Sequence, residues 1–251
     1  MPDRLRIFSL LVSVFILSGC VTVYNPATQR NETLFINTPS EVSLGQQLDA
    51  KMGEKYKISG DTVMLSRVEA IGRRVAAASD RQDLTYYFRV VDDKELNAFS
   101  IPGGYVYVNT GLMQIANDDE LACVIAHEIG HIAARHSVKK LQATLGYQVL
   151  IGIALGLSGQ QGLSSAANAL FDVTSLGYSR KDEFLADSLA VKYALKSGFN
   201  PRGMITFFEK LKNAEKQAGP NFRMEFLSSH PDIDKRIQNI EAQIRNEPSV
   251  S

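Results

Sequence analysis

The chain has 251 residues, 45% of them hydrophobic and 22% charged, which excludes a generally disordered protein. Lys+Arg and Asp+Glu both number 27, so no basic excess points to nucleic acid as a partner. The length admits one substantial domain behind an N-terminal leader.

In chain order, Arg4 and Arg6 precede an apolar run from Ile7 to Leu17. That run falls short of the ~20 residues needed to span a bilayer. It fits the core of a secretory signal peptide over residues 1–19. Leu17-Ser18-Gly19-Cys20 resembles a bacterial lipobox. The resemblance implies a lipidated Cys20 that attaches the chain to a membrane. Val21, where an Asp would imply inner-membrane retention, implies the outer membrane and a periplasm-facing lipoprotein. A signal anchor with an incidental Cys is the alternative. With Cys20 lipidated only Cys123 is left, which excludes an intramolecular disulfide. Cys123 lies among apolar residues and reads as a buried core thiol.

Residues 20–40 are polar, without helical period, and hold two Pro, so they read as a tether. Val42, Leu44, Leu48 and Met52 form a helical stripe between Glu41 and Tyr56. Asp61 is a plausible N-cap for a second helix that turns Val63, Leu65, Val68, Ile71 and Val75 inward. Leu84–Val91 reads as a strand, and Asn97–Ser100, Ile101–Gly104 and Tyr105–Val108 as the arm, turn and return arm of a hairpin. Asn109 or Thr110 caps a short helix through Leu112 and Met113. A longer helix starts near Asn117–Glu120, where acidic residues suit the dipole, and runs to about Lys140. Residues 141–158 carry no charge and read as a buried helix, with a lid over the site as the alternative. Helices are expected at about 166–177, 179–197, 201–215 and 231–246, with Pro201 in a first turn.

The chemistry sits in His127-Glu128-Ile129-Gly130-His131. Residues i and i+4 differ by ~40° about a helix axis, so both imidazoles can bind one ion. Zn²⁺ suits imidazole nitrogen and accepts a four-coordinate site with one position for water, within reach of Glu128 as general base. Apolar neighbours on most sides make two unpartnered His and a Glu costly, and a metal supplies the compensation. His136 lies ~180° around a continuous helix from His127 and is excluded as a third ligand. A Glu from another helix is the usual solution. Glu183 and Asp187 share a helix face, so Glu183 can bind zinc while Asp187 receives the N–H of a ligating His. A solvated acidic helix start is the alternative there, and Asp182 fits it better.

Four motifs in order carry a further likeness: Asn97-Ala98-Phe99 with Pro102-Gly103-Gly104, the His127–His131 motif, Tyr178-Ser179-Arg180 with Glu183, Ala186 and Asp187, and His230-Pro231 with Arg236. Together they resemble the HtpX and CAAX-prenyl-protease type of zinc metallopeptidases (gluzincins), in its soluble periplasmic lipoprotein branch. The resemblance implies one Zn²⁺ per chain on His127, His131 and Glu183, Glu128 as base, and Asp187 behind a ligand. It also implies that His230 either stabilises the oxyanion or occupies the open metal position at rest. Leu185 stands where many relatives carry a second Glu. The implied fold is α+β and mainly α-helical, a zincin-like domain over residues 41–247 with a small β-sheet or hairpin. The implied partners are protein or peptide substrates, misfolded or envelope proteins among them, and envelope assembly proteins. Asn97, Ala98, Gly103 and Gly104 are expected to bind substrate, on a free strand edge near Ala98 or Tyr105–Val108. The alternative function is a chaperone-like outer-membrane lipoprotein with a latent zinc site.

Overall fold

The computed structural model describes residues 21–145, 177–218 and 225–246. The elements are β1 (Val21–Asn25), β2 (Arg30–Leu34), α1 (Thr38–Lys55), α2 (Thr62–Ala78), β3 (Tyr87–Val91), β4 (Ala98–Ile101) and β5 (Tyr105–Asn109). They continue with α3 (Thr110–Ile115), α4 (Asp118–Ala133), α5 (His136–Thr144), α6 (Arg180–Lys196), α7 (Gly203–Ala218), α8 (Glu225–Ser229) and α9 (Ile233–Asn246). The mainly helical α+β expectation holds.

Local signals start the helices. Asn37 accepts from the Ser40 amide at the head of α1, and Asp61 accepts from Val63 and Met64 at the head of α2. Asn117 with Glu120, and Ser179 with Asp182, form reciprocal capping boxes on α4 and α6. In α2, Val68, Ile71 and Val75 are buried, but Val63 in the first turn is 77% exposed and does not face the core. The helix expected from Pro201 begins at Gly203 instead.

The three-stranded sheet has the order β3-β5-β4, with β3 parallel and β4 antiparallel to β5. Alternate residues of β5 feed two cores. Val106 and Val108 pack with α2, α4, α6 and α7, while Tyr105 and Tyr107 pack with α1 and α5. Because β5 is bonded on both sides, Tyr105–Val108 offers no free edge; β3 and β4 are the edge strands. Ser100 lies opposite Val106, which puts it on the face that packs against α4.

Two expectations are corrected. The tether contains an antiparallel hairpin, β1–β2, with Val21 opposite Leu34 and Asn25 opposite Arg30. Its polar surface hides a docked face: Asn25, Ala27 and Leu34 are buried, and the Asn25 amide donates to the Ala133 carbonyl at 3.2 Å. The motif helix also ends at Ala133, because Arg135 adopts a left-handed conformation (φ 55°) and α5 departs in a new direction. Arg135 donates to Thr38 and lies 3.7 Å from Glu41, tertiary contacts that override its helical propensity. Of residues 141–158, 141–145 are described and close α5; the remainder, and the helix expected at 166–177, lie outside the described residues. Among the described residues no helix is long and apolar enough to cross a membrane.

Candidate metal centre

Every residue of α4 from Glu120 to Ala133 is buried, as the continuous apolar run around the motif requires. Gly130 lets α6 approach: a Cβ there would stand 3.1 Å from the Ala186 carbonyl oxygen. This close crossing brings the acidic face of α6 against the two motif imidazoles.

Four buried residues converge, none more than 2% exposed: His127, His131, Glu183 and His230, with their donor atoms within 4.8 Å of one another. The His127 and His131 Nε2 atoms are 3.0 Å apart, and each lies 3.4 Å from an oxygen of Glu183. His230 Nδ1 is 3.3 Å from His127 Nε2 and 3.0 Å from Glu183 Oε1. Donors on a tetrahedral zinc at ordinary bond lengths are separated by roughly 3.4 Å. The set therefore fits Zn²⁺ in number, element and spacing. The two Nε2 atoms at 3.0 Å need either a cation or a shared proton between them.

The outer faces of the rings are held. His127 Nδ1 lies 3.0 Å from Asp187 Oδ1, the placement expected for the support of a ligating His. Asp187 in turn takes two bonds from the fully buried Arg236, from Nε at 2.8 Å and Nη2 at 2.6 Å. The remaining guanidinium nitrogen of Arg236 reaches Glu183 at 3.0 Å and the His230 carbonyl at 3.3 Å. Burial and the Arg236 charge oppose a proton on His127, but bonds to Asp187 and Glu183 prevail and raise it to about 9. Protons and metal thus compete for this ring. Burial pushes the Glu183 carboxyl upward, yet the neighbouring His230, His127 and His131 hold it well below its ordinary range.

Glu128 is positioned by one bond. Ser100 donates to its Oε2 at 2.8 Å, while the buried Oε1 has no hydrogen-bond partner among the described residues. His230 Nε2 stands 3.6 Å from that oxygen.

The other expected site residues divide. Asn97 and Ala98 are buried at the start of the edge strand beside α4, and Asn97 Oδ1 has no hydrogen-bond partner among the described residues. Gly103 and Gly104 are buried in the hairpin turn. They sit at φ 81° and 96°, packed on Glu41 and Gly45 and on Thr85, where the hairpin turn needs residues without a Cβ. Cys20 lies outside the described residues. Cys123 is buried, as expected. Sequence reasoning missed Ser100 and the part taken by Arg236; His136, excluded there as a third ligand, is not among the donors. For Ser100 the available signal was a polar residue at an inward register; for Arg236 it was its place in the His230-Pro231…Arg236 motif.

The model of the M48 peptidase family matches residues 65–244. The chain is 31% identical over 241 residues to the mitochondrial metalloendopeptidase OMA1 of Schizosaccharomyces pombe, covering 90% of this chain and 69% of that one. It is 26% identical over 248 residues to the metalloprotease LoiP of Escherichia coli, covering 94% and 96%. It is 28% identical over 217 residues to the beta-barrel assembly-enhancing protease of Escherichia coli, covering 79% and 44%. The convergent donor set and the family match agree: the chain belongs to peptidase family M48 and is a zinc metalloendopeptidase.

Proposed function

We propose that this endopeptidase cleaves misfolded or envelope proteins in the bacterial periplasm, as a lipoprotein of the outer membrane. The lipobox-like Leu17–Cys20 supports the location, and the name of one relative, a protease described as enhancing β-barrel assembly, supports envelope substrates. In this reading His127, His131 and Glu183 hold zinc. Bound zinc makes a water easier to deprotonate and polarises the scissile carbonyl. Glu128 Oε1 would accept a proton from the water that attacks the carbonyl carbon and would deliver it to the leaving nitrogen as the C–N bond breaks. Ser100 fixes the opposite oxygen of Glu128, which leaves only Oε1 free to move the proton. An extended substrate lies along the outer edge of β4, beside α4.

The observation that carries this reading is the buried, singly anchored Glu128 next to a convergent N, N, O donor set. A second reading, a self-inhibited resting site, draws on His230, whose Nδ1 lies among the donors. Protein beginning after Cys20 is incubated with unfolded casein beside Glu128→Gln and His230→Ala variants, with zinc content measured. Cleavage by the parent that Glu128→Gln abolishes while retaining zinc supports the mechanism; equal cleavage by both removes Glu128 as the base. Activation by His230→Ala supports the resting-site reading, and a large loss supports a role for His230 in stabilising the oxyanion. Localisation is read separately, from lipid labelling of Cys20 and membrane fractionation.

A further inference from the structure

His136 is not among the metal donors, yet its Nδ1 lies 2.9 Å from Nδ1 of His131. The break at Arg135 brings it there from the far side of the helix. Two nitrogens at that distance share one proton. His131 Nε2 faces His127 and Glu183, so it must keep its lone pair if it binds a metal. A neutral His131 then carries its proton on Nδ1 and donates it. His136 Nδ1 must accept, which places the proton of His136 on Nε2, and that atom faces Asp182 Oδ1 at 3.5 Å. Asp182 is itself fixed by the capping box with Ser179, one residue before Glu183.

We propose that His136, backed by Asp182, is the positioning residue of His131, selecting the tautomer that leaves Nε2 available to zinc. The two ligand imidazoles are thus supported in different ways: His127 by a carboxylate held on Arg236, His131 by a neutral ring. Tyr178 closes the arrangement, stacked on His131 at 4.0 Å with its hydroxyl 2.6 Å from Ser137 Oγ.

The inference rests on His131 and Glu183 being ligands, so the experiment includes His131→Ala and Glu183→Gln. Zinc affinity is measured by competition with a chromophoric chelator on the full folded domain. His136→Ala is expected to weaken zinc about 10- to 100-fold, the usual effect of removing such a partner. His136→Asn, whose amide oxygen can accept the same N–H, is expected to recover most of that loss and the parent Co²⁺ absorption spectrum. Parent-like affinity in His136→Ala, or equal losses in Ala and Asn, overturns the proposal. Unchanged affinity in His131→Ala and Glu183→Gln would instead overturn the ligand assignment. A measurement on the unmutated protein covers a variant that fails to fold. The chain has 4 His, so histidine-selective ¹⁵N NMR resolves each ring. His136 Nδ1 is expected to be unprotonated and His131 Nδ1 protonated; the reverse pattern rules the proposal out.

Discussion

Arg236 shows how much a single buried residue can hold. Its guanidinium is fully buried and meets two carboxylates and a carbonyl, all of which belong to the metal centre. The planar fork makes four directed bonds to these partners, more than the three N–H donors of an ammonium can supply. Arg236→Lys is therefore expected to keep the fold but lower both zinc affinity and turnover, by about tenfold or more. Arg236→Ala leaves Asp187 and Glu183 without their cation and should cost about 3–5 kcal/mol in urea denaturation. Near-parent stability in that variant would mean the carboxylates find other partners. The expected metal residues were legible because each belongs to a periodic pattern: His127, Glu128 and His131 on one helical face, Glu183 and Asp187 on another. His136 was set aside by the same geometry, applied to a helix assumed to be continuous. All 4 histidines of the chain in fact lie in one connected cluster.

At the scale of elements, the β1–β2 hairpin behaves as a clasp on the end of the metal-bearing helix. Asn25 caps the Ala133 carbonyl, Lys139 of α5 pairs with Glu32, and the Gln142 side chain accepts from the Phe35 and Ile36 amides just beyond β2. Burial pushes the Glu32 carboxyl up, but bonds from Lys139, Asn25 and Thr28 outweigh it and hold the group below its ordinary 4.5. A depressed folded-state value means that the stabilisation is complete above the unfolded value. It is lost as pH falls through the folded one. Hydrogen exchange of Val21–Leu34 should thus accelerate on acidification below that range before exchange in α4 does. Lys139→Met should shift the onset to higher pH. Simultaneous loosening of both segments would refute a separately docked hairpin. The hairpin escaped sequence reading because only a few of its residues face inward, too few to show an alternating period. The helices, by contrast, were legible from caps and stripes that act within one or two turns.

For the whole molecule, the metal links elements that the two cores already hold in place. The donors come from α4, α6 and the residue that follows α8, whereas the apolar clusters on either face of the sheet contain none of them. Zinc should therefore stabilise a fold that survives without it, unlike small domains that unfold when stripped. A ligand present at a thousandfold over its Kd adds about 4 kcal/mol to the folded state. For a domain of this size that corresponds to a Tm shift on the order of 10 °C. Chelation followed by differential scanning calorimetry should give a cooperative transition lowered by that amount and restored by added zinc. Glu183→Gln should melt near the chelated parent and respond little to zinc, because it removes the charged donor without opening either core. A chelated parent with no cooperative transition would show that the cores do not stand alone. An unchanged Tm after zinc loss would mean that binding at this centre is not coupled to the fold that builds it.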